Sequence, residues 1–125
     1  MPVLDARLDR LDGVWNAAME ARYATYADAA AGLPQAQRES VAMAATLVEA
    51  AVALHELGSG VAMPGDLLLG DLCLARASRL LAESAGQELQ LAFADVVAEA
   101  AAAAAAGEHL PAIGERLVSI LEARR

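Results

Sequence analysis

One stretch decides the fold of this chain: Leu67-Leu-Leu-Gly-Asp-Leu-Cys-Leu-Ala-Arg-Ala-Ser-Arg-Leu-Leu-Ala-Glu83. Its apolar residues recur at helical spacing, which predicts an amphipathic helix. Gly70 and Asp71 interrupt the otherwise apolar first turn. Because a glycine inside a helix costs about 1 kcal/mol relative to Ala, Gly70 predicts that another backbone or a ligand approaches closely there.

Further helices are predicted on both sides of this stretch by the same periodicity. They cover residues 4–31, about 35–56, 87–106 and 110–125, and glycines or prolines separate them at Gly32-Leu-Pro34, residues 58–65, Gly86 and Gly107. The second of these helices is apolar on nearly every side, which predicts burial in the middle of a bundle or between two subunits. Asp66 is predicted to cap the N-terminus of the helix that contains Leu67 to Glu83. One side of this helix is predicted to hold Leu68, Leu69, Leu72, Cys73, Arg76, Ala77, Leu80 and Leu81.

The composition favours an all-α fold. Ala supplies about a quarter of the 125 residues, β-branched residues are sparse, and no strand-like alternation occurs. The length fits one domain. We therefore expect residues 1–125 to form a single antiparallel helical bundle of about five helices.

Charge and hydropathy narrow the range of partners. Nine arginines oppose seventeen acidic residues, for a net charge of −8, and this works against nucleic-acid binding. The N-terminus lacks the basic-then-apolar order of a signal peptide, and Asp95 and Glu99 interrupt the most apolar segment, so we expect a cytoplasmic protein without a membrane span. Cys73 has no other cysteine to pair with and is predicted to be a reduced core residue.

Motifs for catalysis or metal binding are incomplete. His55-Glu56 is not a zinc-protease motif, because the second His would fall at Ser59. The loop Gly58-Ser-Gly60 lacks the Gly-Lys-Ser/Thr ending of a phosphate-binding loop. We expect no catalytic residue, metal ligand or cofactor on this chain. The simplest interpretation of His55 is a residue at a helix C-terminus that helps to satisfy the last carbonyls.

Two stretches together resemble the trans-polyprenyl diphosphate synthase superfamily. They are Leu47-Val-Glu-Ala-Ala-Val-Ala-Leu-His-Glu56 and Leu67-Leu-Leu-Gly-Asp-Leu-Cys-Leu-Ala-Arg-Ala-Ser-Arg-Leu-Leu-Ala82. The resemblance is most specific at Leu54-His55, Leu69-Gly70-Asp71 and Leu80-Leu81-Ala82. It implies part of the isoprenoid synthase fold.

The chain departs from that family where the family binds Mg²⁺. Members hold the allylic diphosphate through two aspartate-rich clusters, because metal ions must neutralise the leaving group. Here the first cluster is reduced to Glu56-Leu-Gly-Ser-Gly60, and the sequence contains no second cluster. The chain is similar to the small, non-catalytic subunit of two-component synthases, of the heptaprenyl diphosphate synthase component I type.

This resemblance implies a regulatory subunit that supports the activity and product length of a larger, aspartate-rich subunit in quinone side-chain biosynthesis. Mg²⁺ would then be bound by the partner. The residues expected at the partner interface are His55, Glu56, Leu69, Gly70, Asp71 and Cys73.

Two alternatives remain open. The chain could be a homodimeric structural or regulatory bundle without a role in prenyl transfer. It could also be a small enzyme or binding protein that uses Glu49, Glu56 and Asp71 as a carboxylate site.

Overall fold

A computed structural model describes residues 17–55 and 62–124, and the predictions for residues 4–16, Glu56 and the loop around Ser59 lie outside these ranges. Within them the chain is helical and contains no strand, which confirms the all-α bundle. The helices are α1 (Ala17–Ala29), α2 (Gln35–Leu54), α3 (Pro64–Ser84), α4 (Gln87–Ala106) and α5 (Ile113–Glu122).

Helix α2 lies at the centre of the bundle. Every residue from 41 to 48 is buried, and the helix packs against α1, α3 and α5, most extensively against α3. The nearly uniform hydrophobicity of α2 therefore reflects burial inside one chain, because neighbouring helices surround it.

Helix α3 begins earlier than predicted, and Cys73, Ala77, Leu80 and Leu81 of its predicted inward face are buried. Its first residue is Pro64 and its N-cap is Met63, so Asp66 lies within the first turn and is not the cap. The prediction was wrong because proline, with its fixed φ and missing N–H, suits the first helical position. Leu68, which was predicted to face inward, is 70% exposed, because the buried stripe of the helix runs through Gly70, Cys73 and Ala77.

Helix α4 has the predicted limits, whereas α5 is shorter than predicted and spans Ile113–Glu122 instead of residues 110–125. Helix α4 spans Gln87–Ala106, and Gly107 ends it in the left-handed conformation with φ 71°. Arg116 of α5 forms an ion pair with Glu99 of α4. Within the described residues, α4 has the length and composition of a membrane-crossing helix, on those two criteria alone.

Candidate functional site

His55 connects the end of α2 to the start of α3. It is the C-cap residue of α2, and its Nε2 lies 3.1 Å from the carbonyl oxygen of Leu67 and 3.1 Å from Oδ1 of Asp71. Both neighbours are hydrogen-bond acceptors, so Nε2 has to carry the hydrogen. The ring therefore donates its hydrogen bond to α3. The sequence had predicted a hydrogen bond to one of the last carbonyls of α2.

Gly70 makes room for the His55 ring. A Cβ atom added at Gly70 would lie 2.5 Å from both Cδ2 and Nε2 of His55, far inside van der Waals contact. The sequence correctly indicated a close approach at this glycine. The approaching group is a side chain of the same chain, whereas the sequence predicted another backbone or a ligand.

Asp71 completes this contact from the surface. Its side chain is 70% exposed, whereas that of His55 is 16% exposed. The His55–Gly70–Asp71 contact thus has a half-buried ring on the inside and a carboxylate that solvent or another molecule can reach. Three of the residues predicted for a partner interface are brought together here.

The other predicted interface residues lie elsewhere. Cys73 is fully buried in the core, and burial raises the pKa of its thiol to about 11. Leu69 is half-buried and lines a cavity on another side of α3. Glu56 lies outside the described residues.

A second polar cluster, which sequence reasoning missed, joins α1 to α2. Arg22 Nε donates to Glu49 Oε1 at 3.1 Å, and the hydroxyl of the fully buried Tyr26 donates to the same oxygen. The Arg22 guanidinium also lies 5.0 Å from the centre of the Tyr26 ring and fits closely against Gly114, where an added Cβ would lie 2.6 Å from Nη2. Burial, followed by the bond to Glu49, raises the pKa of Tyr26 far above its usual value.

The sequence held one signal of this cluster. Glu49 directly follows the buried apolar run of the second helix, residues 41–48, and a charge in that position needs a partner. Its partners could not be identified, because they lie 23 and 27 residues away along the chain.

A cavity of about 470 Å³ lies between α1, α2 and the start of α3. Its walls are mainly apolar, and Arg22, Glu49 and Asp66 also line it. Glu49 is already paired with Arg22. Asp71, the other described acid of the carboxylate-site alternative, contacts His55 instead. In the described part of the chain, no three His, Cys, Asp or Glu side chains are grouped in a way that could hold a metal ion.

No protein-family model, curated protein or solved structure matches this chain. A functional assignment therefore depends on the chain's own residues, chiefly the contact of His55 with Gly70 and Asp71.

Proposed function

We propose that this chain is a non-catalytic helical subunit that binds a larger, aspartate-rich trans-polyprenyl diphosphate synthase subunit and supports its activity and product length. The observation that carries the proposal is the His55–Gly70–Asp71 contact. It joins the two stretches whose residues resemble that family, one at the end of α2 and one in α3.

The surface next to this contact is apolar and exposed. Met63 is 68% exposed, Leu67 is 42% exposed and Leu68 is 70% exposed, all at the start of α3. Leu67 also provides the carbonyl that accepts from His55. Large apolar side chains grouped on a surface are typical of protein-protein contact. This group supports a partner surface at the start of α3.

In this proposal the residues have different roles. His55 fixes the end of α2 on α3, and Gly70 permits that approach. Asp71 offers its exposed carboxylate to the partner, since a charged hydrogen bond that becomes buried on binding contributes to specificity. Leu68 and Met63 supply apolar area.

Direct binding to the larger subunit tests the proposal. The Asp71→Ala and Leu68→Arg variants change exposed side chains, so they should fold normally and bind the larger subunit at least ten-fold more weakly, as measured by calorimetry. Asp95→Ala, at an exposed acid of α4, is the matched control and should bind like the wild type. Unchanged affinity in both test variants would contradict the proposed surface.

A homodimeric bundle is the second candidate function. A groove of about 670 Å³ between α3 and α4, none of whose lining residues is charged, favours it. The two candidates differ in a simple measurement, because the homodimer forms without any synthase subunit.

A further inference from the structure

The cavity between α1, α2 and the start of α3 extends along one face of α2. The residues of α2 that line it recur at spacings of three and four, which places them on the same side of the helix; they are Thr46, Glu49, Ala50, Ala53 and Leu54. At 1.5 Å per residue, this face is about 12 Å long. The cavity volume of about 470 Å³ is within the range of about 300–1,000 Å³ that is usual for sites of small organic molecules.

The charged groups of the cavity lie at its two ends. At one end Arg22 of α1 donates to Glu49 of α2 at 3.1 Å, so these two charges neutralise each other. At the other end, next to Leu54, the start of α3 contributes Asp66. The contact of His55 with α3 holds the start of α3 at this end of α2.

The middle of the cavity is apolar. Met19, Ala50, Ala53 and Leu69 line it, and the two alanines leave space that larger side chains would fill. Ala53 is exposed, so a molecule from solvent can enter along this side. The cavity therefore combines an apolar body with one acidic end.

Asp66 has no partner for its carboxylate among the described residues, unlike the other two charged side chains of the cavity. It is half-buried. A molecule that covered Asp66 without pairing with it would remove water from a charge, which is unfavourable. A protonated amine would replace that water with a charged hydrogen bond. The net charge of −8 on the chain also raises the local concentration of cations.

We propose that this cavity binds a small amphipathic amine, whose apolar body lies along Ala50 and Ala53 and whose ammonium group pairs with Asp66. This inference is independent of the proposed synthase partner. It concerns the isolated chain, and its site residues do not include those proposed to contact the larger subunit.

Other classes of ligand suit the cavity less well. An anion would be repelled by Asp66 and would find Arg22 already paired with Glu49. A divalent metal ion needs several oxygen ligands, and no three His, Cys, Asp or Glu side chains in the described ranges are grouped for one. A neutral apolar molecule would fill the middle of the cavity but would leave Asp66 unpaired.

Isothermal titration calorimetry of the purified chain at neutral pH tests the inference with 1-octylamine, 1-octanol and octanoate. The three molecules share an apolar chain and differ in the charge of the head group. We expect octylamine to bind with a Kd below about 1 mM. Octanol should bind about ten-fold more weakly or less, because it lacks the charged hydrogen bond, and octanoate should bind more weakly still.

A charge-removing variant tests the role of Asp66. Asp66→Asn should weaken octylamine binding by about ten-fold or more and leave octanol binding unchanged, so that the preference for the amine is lost. Asp95→Asn is the matched control, because it removes the same charge from an exposed position of α4 outside the cavity. It should bind octylamine like the wild type.

A cavity-filling variant tests the location. Ala53→Phe should weaken the binding of both octylamine and octanol, whereas Ala102→Phe, at an exposed alanine of α4, should weaken neither. Circular dichroism should show the same helicity in all variants. A wild-type chain that does not bind octylamine at about 1 mM would overturn the inference. So would octanoate that binds as tightly as octylamine, or octylamine binding that is unchanged in Asp66→Asn or in Ala53→Phe.

Discussion

Replacing Gly70 with Ala should have opposite effects on stability in the presence and absence of the His55 ring. In the wild type the new Cβ would lie 2.5 Å from two ring atoms, so the ring must move by almost 1 Å to reach an ordinary contact distance. In a His55→Ala background that obstacle is absent, and only the backbone effect of the substitution remains.

The size of the effect follows from the contacts that are lost. Replacing a Gly inside a helix with Ala by itself stabilises the folded state by about 1 kcal/mol. Displacing the ring removes its hydrogen bond to Leu67, worth about 1 kcal/mol, and its packing on α3. Losing the contact between the ring and the 70% exposed Asp71 removes at most about 0.5 kcal/mol of further stabilisation. Gly70→Ala should therefore destabilise the wild type by about 0.5–1 kcal/mol, and it should stabilise the His55→Ala variant by about 1 kcal/mol.

Urea unfolding of the four proteins of this double-mutant cycle, followed by circular dichroism, measures the difference directly. The coupling free energy between the two positions should be about 1.5–2 kcal/mol. Gly65→Ala is the control, because an added Cβ there meets nothing within 4 Å, and its effect should be the same in both backgrounds. A coupling below about 0.3 kcal/mol would refute the placement of the His55 ring on Gly70.

Three further predictions concern the core. Burial and the bond to Glu49 raise the pKa of Tyr26, so the folded chain keeps this residue protonated. The contribution of Tyr26 to stability should therefore be constant below pH 10 and be lost above it, as unfolded Tyr26 ionises. Tyr26→Phe should reduce this alkaline loss, as measured by unfolding at pH 8 and 11. The Cys73 thiol, fully buried and with its pKa raised to about 11, should react with a thiol reagent in urea but hardly at all in native buffer. Leu80→Ala, at a position 3% exposed, should lower the free energy of unfolding, measured in urea, by about 2–5 kcal/mol. Leu68→Ala should lower it by less than about 0.5 kcal/mol. Equal losses for the two variants would mean that Leu68 does face inward, as the sequence predicted.

Local signals in the sequence were enough to predict most helix limits. Helix α4 has the predicted limits, because Gly107 provides the left-handed residue that ends it. The central position of α2 follows from its uniform hydrophobicity. The inward face predicted for α3 is largely correct, since Cys73, Ala77, Leu80 and Leu81 are buried. Leu68 was predicted wrongly, because the run of leucines at the start of the helix fits several helical stripes.

The site depended on contacts that periodicity does not encode. Gly70 indicated a close approach because its presence in a helix is costly, yet the sequence could not show that His55 of the same chain is the approaching residue. The same limit applies to Tyr26 and Glu49, which lie 23 residues apart. Pairings of this kind depend on how α1, α2 and α3 pack together, and each helix alone is compatible with several arrangements.

A prenyl elongation assay tests the central functional claim most directly. Isopentenyl and farnesyl diphosphates with Mg²⁺ would be supplied to this chain alone, to a larger aspartate-rich subunit from the same genome alone, and to both together. We predict elongation by the mixture only, with Asp71→Ala reducing it and Asp95→Ala leaving it unchanged. Full activity of the larger subunit alone, with a product length that this chain does not alter, would contradict the proposed function.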